Sequence, residues 1–560
     1  MIRKLTGLVL GCSLLFASAG CGGAGSGEIF RAVISPPIPA GAQELSNPAR
    51  GQYEDLMVTL FPQGNPAQKR YQDWPKSYDA SLRIAWRDLQ PVDPRTLPHD
   101  ATDDQKYDFR IIDDTLAQLA TRHMRMTLRV YAYNSCCNAH YPNDTNAASP
   151  DWLRTLPGTT TSHPGPSGTS GPAITHVVPN WNDSGYLDHF TELLAALGRR
   201  YDHDERLSVF EFSGYGDFSE NHNAYLRDAL GVPGPGPYES PDALGYVSQF
   251  KDQNITKASI ERLVKANVDA FPHTQLVVTP NNPEIVRELL DDGVTRRLSA
   301  PVGIRSDCLG VYAPLPVWAE SSKSYYVTSK DPVIDKLERR MLTAPVITEW
   351  CELPEGTDAA DYYRKGLRDI VRYHVSMTSS VNFADRNSDQ PMKPELYLLW
   401  ADANVAAGYR YSVAGQAKSE SLRDGTAKIT VNWTNYGSAA TTERWAPSYR
   451  LIDFSGTVVR TIDSAVDLHE LVHDGGPGAA AEQPVPASVK EPVQLDVADL
   501  PPGHYTLQGA VTWQQHKPDA SHVVDYPPMH LARDGRDAQG WYPIATLDIP
   551  RSALTAAPQR

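Results

Sequence analysis

Short apolar segments alternate with longer amphipathic ones along most of the chain from residue 51 to residue 406. The longer segments, such as Gln105–Arg122 and Tyr186–Tyr201, repeat apolar residues with helical spacing and predict helices. The short segments predict eight strands: Gly51–Glu54, Leu82–Arg87, Met126–Tyr133, Leu207–Phe212, Gln275–Thr279, Val302–Cys308, Val346–Glu349 and Val375–Phe383. This alternation predicts a (β/α)8 barrel of the TIM type. Ser149–Asn180, rich in Gly, Pro, Ser and Thr, predicts a loop without regular structure.

After Gly408 the pattern changes to short alternating segments separated by turns. Six of them predict strands: Tyr409–Val413, Ala427–Asn432, Tyr449–Phe454, Val493–Val497, Tyr505–Trp513 and Ile544–Ile549. Short strands without intervening helices are typical of a β-sandwich. We therefore predict an α/β barrel domain at residues 47–407, followed by an antiparallel β-sandwich domain at residues 408–552.

The first 21 residues have the pattern of an export signal. Two basic residues precede the apolar run Leu5–Phe16, and Ser18-Ala19-Gly20-Cys21 resembles a bacterial lipobox. In this interpretation Cys21 is lipidated, and residues 22–46 form a flexible tether. The protein is then an exported bacterial lipoprotein, on the cell surface or facing the periplasm, that contacts the membrane through its lipid anchor only. The alternative is ordinary secretion, with Cys21 as a spare thiol.

The net charge limits the class of partner, and the cysteines indicate where disulfides form. The 560 residues carry a formal net charge of -15, which argues against nucleic acid as a partner because phosphates require a basic surface. Export into an oxidising space favours disulfides, and Cys308 and Cys351 each follow a strand-end acid, so we prefer a bridge between them. The neighbouring Cys136 and Cys137 form either a strained bridge or two thiols. We expect no cofactor.

Two predicted strand ends present acids. In Leu207–Glu220 (LSVFEFSGYGDFSE) an apolar strand breaks at two glycines and is followed directly by Asp217 and Glu220, whereas Glu349 ends the seventh predicted strand. The carboxyl ends of barrel strands meet at one face, where active sites form. Paired carboxylates supply the acid and the nucleophile or base that cleave a glycosidic bond. We predict Glu349 as nucleophile and Asp217 or Glu220 as acid/base, with Glu211 as a further candidate.

Other residues near the strand ends are candidates for substrate binding. Asp307 and Asn382 could position sugar hydroxyls, and Arg87 and Arg129 interrupt apolar strands, where they need carboxylate partners if buried. Flat aromatic side chains suit the apolar faces of sugars. The aromatic candidates are Tyr133, Tyr215 and Trp350. The simpler interpretation is structural, because a strand-end acid can bind a loop or an arginine and an aromatic residue can fill the core.

One motif indicates a different chemistry. His469-Glu470-Leu471-Val472-His473 matches the HExxH signature of zinc peptidases. That chemistry needs both histidines on one face of a helix, and a third ligand further on. The glycine-rich segment Asp474–Gly478 would end a helix directly after the second histidine. A zinc peptidase is therefore a lesser alternative, and we expect no metal site.

Seven short motifs are spread over the chain: Asn47–Gly51, Leu128–Asn134, Ser213–Phe218, Ser306–Cys308, Thr348–Cys351, Asn382 and Met529–Arg533. Together they resemble a group of bacterial proteins, mostly catalogued as domains of unknown function, that pair a glycosidase-like barrel with a C-terminal β-sandwich. Similar proteins usually show Trp-Gly-Glu-Trp where this chain has Tyr215-Gly216-Asp217-Phe218. The resemblance implies a carbohydrate-active barrel whose catalytic acids follow strands four and seven.

The favoured hypothesis is a glycoside hydrolase that acts on a poly- or oligosaccharide at the cell surface. The alternative is a non-catalytic carbohydrate-binding or structural surface lipoprotein on the same scaffold.

Overall fold

The computed structural model describes residues 30–33, 35–38, 44–56, 77–135, 145–167, 171–223, 255–311, 332–351, 353–379, 393–416, 425–473 and 481–550. The export signal with Cys21, the pair Cys136 and Cys137, and Asn382 lie outside these ranges. Strands are numbered β1 to β19 and α-helices α1 to α10 in chain order, from β1 (Phe30–Ala32) to β19 (Tyr542–Ile549).

Eight parallel strands close into a barrel. They are β2 (Gly51–Asp55), β3 (Asp79–Ala85), β4 (Arg125–Tyr131), β8 (Leu207–Glu211), β9 (Gln275–Val278), β10 (Gly303–Leu309), β11 (Val346–Trp350) and β12 (Met377–Ser379). Each strand pairs with the next one along the chain, and β12 pairs with β2. The predicted TIM-type barrel is confirmed.

Helices connect the strands and cover the outside of the barrel. They are α1 (Trp86–Leu89), α2 (Asp103–Lys106), α3 (Arg110–Ala120), α4 (Ser184–Tyr201), α5 (Lys257–Ala270), α6 (Pro283–Leu289), α7 (Asp292–Thr295), α8 (Pro332–Thr343), α9 (Ala359–Arg372) and α10 (Pro394–Ala406). Helix α4 begins where Asp183 accepts hydrogen bonds from the amides of Gly185 and Tyr186, and it buries Leu187, Phe190 and Leu194. Its apolar spacing is what the sequence predicted. Among the described helices, none has both the length and the apolarity to cross a membrane.

The segment 149–180, predicted as an irregular loop, is partly a small sheet. Strands β5 (Thr145–Asn146), β6 (Thr160–Pro166) and β7 (Ala173–Pro179) pair in the order β5-β7-β6. Every residue of β6 is exposed or half-buried. The strand therefore lacks the apolar alternation that sequence reasoning depends on, and the prediction of a loop was wrong here.

The C-terminal part is an antiparallel β-sandwich, as predicted. Its remaining strands are β13 (Tyr411–Gln416), β14 (Thr426–Asn435), β15 (Trp445–Asp453), β16 (Val458–Asp463), β17 (Ala487–Asp496) and β18 (Gly503–Trp513). One sheet has the order β1-β19-β18-β15-β16 and the other β13-β14-β17. Strand β1 lies inside residues 22–46, so part of the predicted tether is paired with the sandwich.

The sandwich contacts the amino-terminal ends of the barrel strands. Arg125, the first residue of β4, forms an ion pair of 2.6 Å with Glu443. The half-buried Lys517 donates hydrogen bonds to the carbonyl of Leu207 and the hydroxyl of Thr274. Because the sandwich occupies this end, the carboxyl ends of the strands lie on the face away from it.

Candidate active site

A layer of charged side chains lies inside the barrel, on the carboxyl-terminal side of its apolar interior. The apolar interior cluster consists of Tyr53, Val209, Val277, Ile347 and Met377. Side chains alternate along a strand, so a residue two positions after an interior one also points inward. This places Glu211, two residues after Val209, and Glu349, two residues after Ile347, on the inner face.

Three arginines share that layer: Arg83 on β3, Arg129 on β4 and Arg305 on β10. Arg83 and Arg129 are direct neighbours in the β3–β4 ladder. Their side chains and that of Arg305 are between 1% and 3% exposed. A guanidinium this deeply buried is stable only when carboxylates or other acceptors surround it.

Glu349 is held by two of these arginines. Arg83 and Arg305 both bond its Oε2 atom, Arg305 through Nη2 at 2.5 Å. The Glu349 side chain is 11% exposed. Because opposite charges favour the ionised form of a carboxyl group, this arrangement suits a carboxylate nucleophile.

Glu220 reaches the same region through a constrained turn after β8. Gly216 has φ +83°, and a Cβ at this position would lie 2.7 Å from the backbone nitrogen of His222. Phe218, Ser219 and Asn221 also have positive φ angles, which cost energy for residues with a side chain. The turn is fixed to β4, since the Ser219 hydroxyl donates to the carbonyl of Val130 at 2.8 Å. Strain retained by surrounding contacts is typical of functional sites.

The carboxylate of Glu220 is strongly paired. Arg129 donates to it from Nη1 at 2.6 Å, and Nε2 of His222 lies 3.4 Å from its other oxygen. Burial alone would raise the pKa of Glu220, but the bond with His222 and the charge of Arg129 outweigh burial and hold that pKa well below its usual value. Arg129 also donates to Glu211 at 2.5 Å. Burial opposes the ionisation of Glu211 too, yet its arginine neighbours lower its pKa.

Asp307, on β10, completes the group. One carboxylate oxygen from each of Glu220, Asp307 and Glu349 lies within 4.8 Å of the other two. Burial, and then the charge of Glu220, raise the pKa of Asp307. The predicted disulfide Cys308–Cys351 is present and joins the ends of β10 and β11 directly beyond Asp307 and Glu349.

Asp217 is not among the three described carboxylates that lie within 4.8 Å of one another. Its Oδ1 accepts a hydrogen bond of 2.7 Å from the amide of Ser135, in the loop after β4. Burial raises the pKa of Asp217 to about 6. The structure therefore brings Glu220, and not Asp217, together with Glu349.

Four other residues predicted to bind substrate lie outside this group of carboxylates and pack against other parts of the barrel. The barrel strand ends at Ala85, so Arg87 lies in α1, where it bonds Asp151 and the carbonyl of Ala147. Trp350 follows Glu349 and therefore points to the opposite face, where it is buried against Tyr362 and Tyr363. Tyr133 and Tyr215 are both buried and pack on Trp181.

Three residues of the site were not predicted: Arg83, Arg305 and His222. The sequence carried a signal for the two arginines, because each follows an apolar residue that faces outward, in Leu82-Arg83-Ile84 and in Ile304-Arg305. An arginine at an inward position of a barrel strand must meet acids inside. His222 gave no such signal, since its position depends on the path of the turn.

The carboxylates of Glu220, Asp307 and Glu349 are oxygen ligands of the kind that Mg²⁺ or Ca²⁺ uses. Here, however, Arg83, Arg129 and Arg305 already bring three positive charges to them. A second group, Asp202, His203 and His273, lies in the segments that precede β8 and β9, at the amino-terminal ends of these strands. Asp202 already accepts bonds from the amides of His273 and Thr274 and from the His273 ring. Neither arrangement favours a metal ion.

The HExxH segment does not form a zinc-binding helix. Leu468–Glu470 is a single 3-10 turn, and the chain has no helical structure from Leu471 to His473. Nδ1 of His469 bonds Asp467 at 2.7 Å. The two histidines therefore do not lie on successive turns of one helix, as a zinc peptidase requires.

No family model matches the chain, and no curated protein matches it. Solved structures with a similar course of the chain include endo-glycoceramidase II from Rhodococcus sp. (13% identity, TM-score 0.37, covering 80% of this chain and 99% of that one). They also include the endo-beta-1,4-mannanase from Thermotoga petrophila (10% identity, TM-score 0.31, covering 85% and 96%). A third is a tri-modular GH5 endo-beta-1,4-glucanase from Bacillus licheniformis (9% identity, TM-score 0.33, covering 89% and 78%). With TM-scores below 0.5, these similarities assign no activity to this chain.

Proposed function

We propose that the protein is a glycoside hydrolase acting on a poly- or oligosaccharide, with Glu349 as the nucleophile. The observation that carries this proposal is the approach of the Glu349 carboxylate to within 4.8 Å of the Glu220 and Asp307 carboxylates. These groups come from the ends of different barrel strands, where TIM-barrel enzymes form their active sites. Two carboxyl groups on opposite sides of a glycosidic bond provide the nucleophile and the acid that its cleavage needs.

The spacing supports a retaining mechanism. Carboxyl groups about 5–5.5 Å apart allow direct attack on the sugar, whereas about 6.5–9.5 Å leaves room for an attacking water in inverting enzymes. The contacts within 4.8 Å between Glu349 and the opposing acids fit the shorter class. Glu349 would form a glycosyl ester, and the opposing Glu220–Asp307 pair would supply a proton to the leaving group.

Trapping the glycosyl ester tests the proposal. The protein is incubated with dinitrophenyl fluoroglycosides of several sugars, in which fluorine next to the anomeric carbon slows hydrolysis of the ester. We expect a covalent sugar adduct on the peptide that contains Glu349, and no adduct in Glu349→Gln. The matched control is Glu54→Gln, because Glu54 also lies near the end of a barrel strand but bonds Arg122 on the outside. An adduct on a different acid, or equal labelling of Glu349→Gln, would overturn the assignment of the nucleophile.

The alternative is a non-catalytic carbohydrate-binding or structural protein. One observation favours it: Oε2 of Glu349 is already bonded by two arginines, so this oxygen is engaged within the protein. A binding protein would take up glycans, measured by calorimetry on an oligosaccharide panel, without cleaving any of them. It would also give no adduct with any fluoroglycoside.

We also propose that the protein is exported and anchored through a lipid on Cys21. The support is the lipobox-like sequence Ser18–Cys21 after an apolar run. The disulfide Cys308–Cys351 agrees with an oxidising compartment. Mass spectrometry of the mature N-terminus is expected to show a diacylglyceryl group on Cys21. In cell fractionation, the variant Cys21→Ser is expected to move from the membrane fraction to the soluble fraction. An unmodified N-terminus at another residue would contradict the anchor.

A further inference from the structure

The two acids opposite Glu349 have different surroundings. Glu220 is bonded by Arg129 and contacted by His222. Asp307, by contrast, accepts no hydrogen bond at either carboxylate oxygen from any residue that the structure describes. Both oxygens are buried, although the side chain as a whole is 14% exposed. A buried carboxylate without hydrogen bonds costs much more free energy than a protonated carboxyl group in the same place, because burial penalises the charged form most.

The arginines near Asp307 do not compensate for this. Arg305 Nη1 lies 3.5 Å from Asp307, but it donates its hydrogen bond to the carbonyl of Ser306 at 2.6 Å. Arg129 Nη2 lies 3.8 Å away, and its other nitrogens bond Glu211 and Glu220. Two carboxylates of the same sign, Glu220 and Glu349, lie within 4.8 Å of Asp307, and Glu220 is one of the groups that raise its pKa. Two carboxyl groups this close share one proton, and the better-bonded one loses it.

The direction of both pKa shifts agrees with this division. The pKa of Glu220 is lowered by His222 and Arg129 against the effect of burial, and the pKa of Asp307 is raised by burial and by the charge of Glu220. Glu220 is therefore ionised at neutral pH and has no proton to donate. Its negative charge, after burial, instead raises the pKa of Asp307.

We infer that Asp307 is the general acid/base of the site, and that Glu220 is the positioning residue that keeps it protonated. This rests on the glycosidase function proposed above. In the first step a Glu349 oxygen bonds the anomeric carbon, the glycosidic C–O bond breaks, and the Asp307 proton passes to the leaving oxygen. In the second step the Asp307 carboxylate takes a proton from water, whose oxygen displaces Glu349 from the anomeric carbon. Both carboxyl groups then return to their starting forms.

The disulfide fixes the distance between the two reacting groups. Cys308 directly follows Asp307 and is bonded to Cys351, two residues after Glu349. Cys308 has φ +60°, at a point where the pairing of β10 with β11 shifts register. Asp307 thus lies on an irregular strand end that a covalent bond ties to the strand of the nucleophile. This is the rigid support that a reacting pair requires.

The dependence of rate on leaving group identifies the acid. A dinitrophenyl group departs without protonation, whereas a methylumbelliferyl or sugar group needs it. In Asp307→Asn we expect kcat/KM for methylumbelliferyl glycosides to fall by about 10²–10⁴-fold, the usual contribution of general acid catalysis. For dinitrophenyl glycosides kcat/KM should fall by about tenfold or less, and the alkaline limb of the pH profile should disappear. Asp307→Glu, which restores a carboxyl group, should recover that limb.

Glu220→Gln is the informative counterpart. This variant should lower kcat/KM to a similar extent for glycosides with either leaving group. It should also move the alkaline limb of the pH profile to lower pH, because Asp307 loses the neighbouring negative charge. The control Glu54→Gln should behave as wild type. If Glu220→Gln instead shows the selective loss, and Asp307→Asn keeps its alkaline limb, Glu220 is the acid and the inference is wrong.

A measurement on unliganded protein covers the case in which no variant is active. The infrared carbonyl band of a protonated carboxyl group at neutral pH should weaken in Asp307→Asn, whereas in Glu220→Gln the band should remain in acid and disappear at a lower pH than in wild type. An unchanged band in Asp307→Asn would overturn the inference even if Glu349 is labelled by fluoroglycosides. Absence of labelling with an altered band would overturn the glycosidase proposal, and with it the catalytic role of Asp307, while showing that Asp307 holds the proton.

Discussion

Replacing Arg129 with methionine tests whether the charged layer is an ion network that is buried away from water. Arg129 is 1% exposed and bonds Glu211 at 2.5 Å and Glu220 at 2.6 Å, with Asp307 3.8 Å away. Methionine fills a similar volume without charge. The change leaves Glu211 and Glu220 buried without their main hydrogen-bond donor.

The expected loss is large because the partners remain buried. Removing one member of a buried ion pair typically costs about 3–5 kcal/mol. The cost should depend on pH. Arg129 lowers the pKa of Glu211 and of Glu220 in the folded protein, so the stability that these acids contribute is present above their unfolded pKa and is lost as the pH falls through the folded one. The difference between variant and wild type should therefore be greatest at neutral pH and shrink in acid.

Urea unfolding followed by fluorescence, at neutral pH and in acid, measures this difference. The matched control is Arg199→Met, since Arg199 bonds Asp103 at 2.8 Å but is 57% exposed. An exposed pair contributes about 0–1 kcal/mol. If Arg129→Met lowers the free energy of unfolding no more than Arg199→Met does, or if its effect is independent of pH, the charged layer is accessible to water. The description of it as a buried ion network is then wrong.

Three further predictions concern the surroundings of the site. Asp217→Asn should stabilise the protein by up to about 3 kcal/mol above pH 6 and by little below pH 4. The reason is that burial raises the pKa of Asp217 to about 6, so that its ionisation opposes folding. Urea midpoints of the variant and wild type that are equal across this pH range would contradict the prediction. Gly216→Ala should cost about 2–3 kcal/mol, clearly more than Gly356→Ala, which has a similar φ of +77° but open space around its Cβ; equal losses in thermal unfolding would mean that the contact with His222 is unimportant. Replacing both Cys308 and Cys351 with serine should cost about 4 kcal/mol for a bridge across 43 residues, and wild type under reducing conditions should show the same loss; a stable reduced form would refute this.

Much of the fold was readable from the sequence because its cause is local. Leu187, Phe190 and Leu194 recur with helical spacing and form the buried face of α4, and α3 (Arg110–Ala120) lies inside the predicted helix Gln105–Arg122. The barrel followed from counting such elements. The disulfide Cys308–Cys351 was also accessible, because parallel strands place equivalent ends side by side. Strand β1 was missed because its partner β19 lies far along the chain, and β6 was missed because its residues show no apolar alternation.

The sequence by itself determined that acids follow the fourth and seventh barrel strands and that they meet at one end of the molecule. It could not determine which acid after the fourth strand faces Glu349. That choice depends on the turn Gly216–His222, whose positive φ angles direct Asp217 toward Ser135 and Glu220 toward Arg129. Only the closed barrel brought Arg83, Arg129 and Arg305 from three separate strands onto these acids. The physical reason is that ion pairing and proton sharing depend on distances of a few ångströms between residues far apart in the chain, and tertiary structure alone sets those distances.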